Sequence, residues 1–134
     1  MTEIIMEFPL LPPSLNDWLK MSRRIRAKQS LKRAMHFECL CALHRRYGPG
    51  GVAWATQPRR LTITVIRRRL LDHDNFVGGC KPLVDVLVNL GLLIDDRPSA
   101  LIGGKGEYYQ EKAAGRQPMT RVEIAWEEKE IDGV

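Results

Sequence analysis

Residues 70–96 read LLDHDNFVGGCKPLVDVLVNLGLLIDD, directly after the triple arginine Arg67, Arg68 and Arg69. Five aspartates and one lysine sit here among apolar residues. The middle of the stretch has helical spacing. Pro82 suits a first helical position, where a missing N–H is no loss. Leu83, Val86, Leu87 and Leu90 follow the i, i+3, i+4, i+7 rule. Gly91 can take the left-handed backbone that closes a helix. Asp85 falls on the face opposite the leucine stripe, with Asn89 one turn on. Asp72 and Asp74 precede this helix, and Asp95 and Asp96 follow it.

Working outward, RRLTITVIRR at 59–68 is the clearest strand, rich in β-branched residues. Leu61, Ile63 and Val65 point one way, and Thr62, Thr64 and Ile66 the other. EIIMEF at 3–8 reads as another strand, broken by Pro9, Pro12 and Pro13. Ser14, with Asp17 three residues later, resembles a helix start. From about Arg23 to Tyr47 the pattern is helical. Leu31, Met35, Cys39 and Leu43 form one stripe, which Phe37, Leu40, Cys41 and His44 widen. GPGG at 48–51 ends that helix. A strand is expected at about 100–109 and a last one at 120–126, with Val122, Ile124 and Trp126 on one face. The order β-α-β-α-β-β predicts one small α+β domain over 1–134, a mixed sheet flanked by helices. Residues 127–134 are expected to fray.

The chain has 134 residues, 44% hydrophobic and 28% charged, the balance of an ordinary globular domain. No apolar run approaches the roughly 18 residues of a membrane span. MTEIIMEF has acids and no basic region ahead of its apolar part, unlike a signal peptide. Cys39, Cys41 and Cys80 are an odd set with no four-ligand spacing. They read as reduced, small apolar residues in a cytoplasmic protein.

Charge is unevenly spread. Residues 1–69 carry 14 Lys and Arg against four acids, a net +10, while 70–134 carry seven against 12, a net −5. The basic half suits a polyanion, with Arg23, Arg24, Arg26, Lys28, Lys32, Arg33, Arg67 and Arg69 as candidate phosphate contacts. Because a strand alternates, at most two of the three consecutive arginines are expected on one surface. Trp18, Trp54 and Trp126 read as core or interface residues, and Trp54, in a loop beside basic residues, is also a candidate for stacking on an unpaired base. Acids beside a phosphate surface make sense if a divalent cation sits between them. Two solvated faces of opposite sign read equally well from charge alone.

In an extended segment Asp72 and Asp74 project to the same side. D-x-D alone is common turn chemistry, and Asp95–Asp96 reads equally as an Asp-rich turn. The helix between is about 14 Å long, so the second acidic pair approaches the first only if the chain turns back after Gly91. Carboxylates that hold Mg²⁺ activate water and neutralise a scissile phosphate. A nearby lysine stabilises charge developing on phosphoryl oxygens. One site of this kind accounts for the acids, Lys81 and the basic half together.

The ordered set D-H-D-N at 72–75, Lys81, Asp85-Val-Leu and Gly91-Leu-Leu-Ile-Asp95-Asp96 resembles the signature of the RusA family of Holliday-junction resolvases. PPSLN at 12–16 is similar to that family's N-terminal segment. The resemblance implies a homodimeric, Mg²⁺-dependent endonuclease of small mixed α/β fold, with Mn²⁺ as a substitute. Such an enzyme makes paired nicks across four-way DNA junctions in recombination and repair. It implies a cytoplasmic, DNA-associated protein of bacterial or phage type. Carried over by position, Asp72, Asp74 and Asp96 are metal-binding catalytic acids, Lys81 and Asp95 assist, and Asp85 and Asn75 support the site. FVGGC, between Asn75 and Lys81, is longer than the family form. Gly78 and Gly79 are expected either to make a compact turn that returns the lysine to the acids or to form an anion-binding nest. Two other readings stay open. One is a catalytically silent protein that binds branched or single-stranded DNA, and the other is a metal-dependent phosphohydrolase acting on nucleotides.

Overall fold

The computed structural model describes residues 2–21 and 23–128. Its elements are β1 (Glu3–Phe8), α1 (Leu15–Met21), α2 (Ile25–Tyr47), β2 (Arg60–Arg67), α3 (His73–Gly79) and α4 (Lys81–Asn89). A 3-10 turn (Pro98–Ala100), β3 (Glu107–Lys112) and β4 (Met119–Ala125) complete them. The strands form one mixed sheet in the order β1-β4-β2-β3. β4 runs antiparallel to both neighbours, and β2 and β3 are parallel. The α+β class read from the sequence is the one observed.

Alternation decides which sheet face is buried. Leu61, Ile63 and Val65 are fully covered, as are Val122 and Ile124, while Thr62, Thr64 and Ile66 are half-buried on the other side. Register places Ile63 opposite Val122 and Ile4 opposite Ile124, so apolar pairs stack across three strands. Met35, Cys39 and Leu43 of α2 and Leu83, Val86 and Leu87 of α4 close this layer. Each fully buried aliphatic side chain contributes roughly 1.5–3 kcal/mol. Burial pushes the Cys39 and Cys80 thiols up to about 12, and all three cysteines are free.

Three expectations are corrected. Phe37 and Leu40 do not widen the buried stripe of α2, since they are 63% and 45% exposed. Only one face of this 23-residue helix meets the sheet and α4, and its buried residues are Met35, Cys39, Ala42 and Leu43. The strand expected at 100–109 begins at Glu107, because Gly103 and Gly104 adopt left-handed backbones and interrupt pairing after the bridge from Leu101 to Arg59. An additional helix, α3, occupies the residues expected to be extended and turn-like.

Residues 129–134 of the expected frayed tail lie outside the described residues. Just before them, the Gln57 amide donates to the Glu127 carbonyl at 2.7 Å. Among the described residues no helix is long and apolar enough to cross a membrane.

Candidate functional site

β2 delivers the first acidic pair. Two hydrogen bonds hold the chain just ahead of it. The Gln110 side chain on β3 accepts from the Leu71 N–H at 3.1 Å and donates to the Leu71 carbonyl at 2.9 Å. Asp72 then caps α3, its carboxylate accepting from the Asn75 N–H at 3.2 Å. Asp74 lies in the first turn of α3, where the helix dipole favours a carboxylate. The extended D-x-D geometry is therefore not what forms. The pair is presented as helix cap and first turn, and both residues are exposed.

The FVGGC spacer is helical, and its glycines serve packing. A Cβ on Gly79 would collide with the Pro13 carbonyl oxygen, and one on Gly78 would lie 2.8 Å from Leu15. The PPSLN segment thus packs directly on α3. Its Asn16 N–H donates to the Asn75 side-chain oxygen at 3.0 Å. Neither the compact turn nor the anion-binding nest is present. Lys81 opens α4 beyond the far end of α3, about 10 Å of helix from the acids. The spacer therefore does not fold the lysine back onto them by a turn.

Asp95 and Asp96 occupy the other end of the sheet. The parallel pairing of β2 and β3 makes the α3–α4 connection carry the chain back to where β2 began. Arg59 holds both flanks of the Asp95–Asp96 loop there. Its side chain donates to the Leu92 carbonyl at 3.1 Å, and its backbone exchanges hydrogen bonds with Ala100 and Ile102. Arg59 also donates to the Ala53 and Trp54 carbonyls and lies 3.7 Å from the Trp126 ring centre. Asp72 instead follows the opposite end of β2, a strand roughly 26 Å long. Hydrogen bonding to Asp96, then to Arg97, holds the Asp95 carboxyl below its usual range. Its oxygens accept from the Asp96 N–H at 2.6 Å and the Arg97 Nε at 2.7 Å.

Oxygen donors at Asp72, Asp74 and Asp96 suit a hard divalent cation. Among the described residues, however, no three His, Cys, Asp or Glu side chains converge closely enough to hold one. Asp74 makes no side-chain bond among the described residues, whereas one Asp72 oxygen is engaged by the cap. Asp85 does not meet Lys81. It pairs with Lys32 of α2 at 3.2 Å. Lys32 and Lys28 also lie 5.9 and 4.3 Å from the Trp18 ring centre, so two expected phosphate contacts are partly engaged in packing α2 on α1.

The remaining basic residues separate by burial. Arg23, Arg24, Arg26, Arg33 and Arg69 are exposed, while Arg67 is only 7% exposed and faces the core side of β2. It is corrected from open-surface contact to buried residue. A cavity of about 850 Å³ is lined by Lys20, Arg23 and Arg24 together with Pro13 and Asp17. A second, of about 490 Å³, shares Pro13 and Asp17 and is lined by Arg67, Arg68 and Arg69. Contrary to the alternation argument, all three arginines border one cavity, because β2 ends at Arg67 and the next two residues bend. Trp54 is 77% exposed, with its ring against Gly91.

Sequence reasoning missed Gln110 and Arg59, whose partners are backbone atoms far away in the chain. The chain matches neither any protein-family model nor any curated protein.

Proposed function

We propose that this chain is a structure-selective DNA endonuclease that cuts four-way junctions with Mg²⁺. The observation carrying the reading is an exposed carboxylate pair, Asp72 and Asp74, immediately downstream of a run of arginine-lined cavities. The basic cavities would grip backbone phosphates; they share Pro13 and Asp17, and Leu71, next to Asp72 in the chain, lines the second. A bound divalent cation would supply an activated water and neutralise the scissile phosphate. Asp72 and Asp74 would hold it, with the Asp72 cap and the Gln110 clamp fixing their approach. Lys81 would contact a neighbouring phosphoryl oxygen.

Asp96 stands at the opposite end of β2, so the reading requires a dimer in which Asp96 of the partner subunit completes the carboxylate set. A four-way junction is two-fold symmetric, and a two-fold dimer would set two such sites for matched cuts. The decisive assay is nicking of a synthetic four-way junction against linear duplex, with and without Mg²⁺, alongside the solution mass by light scattering. Junction-selective, Mg²⁺-dependent paired nicks from a dimer are expected. Equal cutting of duplex and junction would sink the selectivity, and a monomer that cuts would sink the shared site.

A second reading takes the exposed arginines of both cavities without the acids. It is a catalytically silent protein that binds branched or single-stranded DNA on the same basic cavities. Junction binding without nicking at any Mg²⁺ or Mn²⁺ concentration would select it.

A further inference from the structure

Among the described residues two arginines are buried, and they are treated differently. Arg59, 2% exposed, spends its terminal nitrogens on three backbone carbonyls and leaves Nε buried and unpartnered. Arg67, 7% exposed, has no hydrogen-bond partner for either Nε or Nη2, both of which are buried. The Phe76 ring lies 5.6 Å from its guanidinium. Burial pushes its guanidinium below its ordinary value. No carboxylate pairs with it among the described residues. A buried cation without a counter-charge costs stability, and replacement by a well-packed apolar side chain is commonly neutral or favourable. Arg67 is thus poorly explained by packing alone.

The cavity beside it has the chemistry of an anion site. Arg68 and Arg69 stand on its rim, and Ser14, whose oxygen accepts from the Asp17 N–H, keeps a hydroxyl proton to donate. Asp17 is the acid in the lining, and Leu11, Pro12, Leu71 and Pro118 supply apolar walls to an open cavity. We propose that this cavity is a phosphate-binding site in which Arg67, with Arg68 and Arg69, receives a phosphoryl oxyanion. Nη1, the guanidinium nitrogen of Arg67 that is not buried, would meet a phosphate oxygen first, and Nε and Nη2 would be reached only if the side chain turns into the cavity. The phosphate is either part of a DNA backbone or free, as in inorganic phosphate or a nucleotide. This inference does not rest on cleavage, and it holds for a silent binding protein as well as for a nuclease.

The test uses the full chain without metal, carrying ¹⁵N-labelled arginine, and follows the Arg67 Nε–H resonance assigned with Arg67→Lys. Inorganic phosphate, thymidine 5′-monophosphate and a short duplex are titrated separately, with chloride as the control anion. Thermal melting of the parent and of Arg67→Met accompanies each titration. A saturable shift of the Arg67 resonance with phosphate and not with chloride is expected. The melting point should rise by roughly 4 °C for the parent at saturating phosphate and stay flat for Arg67→Met. In phosphate-free buffer Arg67→Met should melt at or above the parent. A response to duplex at far lower concentration than to free phosphate assigns the site to a DNA backbone, and the reverse order assigns it to a free phosphate or nucleotide. An Arg67 resonance indifferent to all three ligands overturns the proposal, as do equal melting shifts in parent and Arg67→Met. Should Arg67→Met not fold, the resonance titration decides alone. A chain that binds phosphate here yet never nicks a junction counts against the endonuclease reading and leaves this site standing.

Discussion

The Asn16 N–H is held by the side-chain oxygen of Asn75 at 3.0 Å, a bond that joins two segments 59 residues apart. It ties the start of α1 to the first turn of α3, so the PPSLN segment and the aspartate cap form one unit. Asn75→Ala should lower stability by about 1 kcal/mol, the usual net worth of such a bond. Gly79→Ala should cost more, roughly 1–3 kcal/mol or beyond, because its Cβ meets backbone rather than a flexible side chain. Urea denaturation of both variants checks the order. Equal, negligible losses would show that α1 and α3 are not coupled.

Arg59 should be among the most sensitive positions in the chain. Arg59→Met would leave the Ala53, Trp54 and Leu92 carbonyls without their shared donor, a loss of roughly 1–3 kcal/mol for each carbonyl left buried and unpaired. Amide exchange should then quicken first around Gly91 and Leu92, before β1 and β4 respond. Uniform protection in the variant would contradict this.

Asp72 has two duties that substitution can separate. Asp72→Asn keeps an acceptor for the Asn75 N–H, so stability should hold, whereas Asp72→Ala should cost about 1 kcal/mol as a lost cap. Under the endonuclease reading, Asp72→Asn, Asp74→Asn and Asp96→Asn should each reduce Mg²⁺-dependent nicking by orders of magnitude. Junction binding in EDTA should hold or tighten, since like charges about 4 Å apart cost on the order of 1 kcal/mol even in water. Asp85→Asn should lose less activity. Folded Asp72 and Asp74 variants that cut like the parent would end the catalytic assignment.

The buried thiols give a pH signature. Burial raises Cys39 and Cys80 from an ordinary value of 9.0 to about 12. Their contribution is complete below the unfolded value and is lost as pH climbs from about 9 towards 12. Stability should decline over that window, and Cys39→Ala together with Cys80→Ala should flatten the decline, as denaturant midpoints would reveal. In the native chain at pH 8 a thiol reagent should label Cys41 well before the other two.

The salt dependence of DNA binding should distinguish the two kinds of basic residue. Reversing Arg23 and Arg24, which line the larger basic cavity, should lower the slope of log affinity against log salt. Reversing Lys32 should lower it less and destabilise the chain more, because Lys32 pairs with Asp85 and lies near Trp18. A parent slope near zero would exclude nucleic acid as the partner.

Periodicity alone was enough to reveal β2, α2, α4 and the mixed α+β plan. A half-buried strand and a one-faced helix must repeat their apolar residues every two and every 3.6 positions whatever they pack against. Ser14, Asp17, Pro82 and Gly91 likewise act on atoms a few residues away, so their roles were readable locally. Phe37 and Leu40 were misread because periodicity shows which residues share a helix face, not how far the covering layer extends. The two acidic pairs carried no local mark of their separation. Only the parallel pairing of β2 with β3 sends Asp72 and Asp96 to opposite ends of the sheet. Burial of Arg67 within a run of three arginines, the grip of Arg59 on distant carbonyls, and the pairing of Asp85 with Lys32 were also decided by tertiary packing, since each depends on atoms brought together from far along the chain.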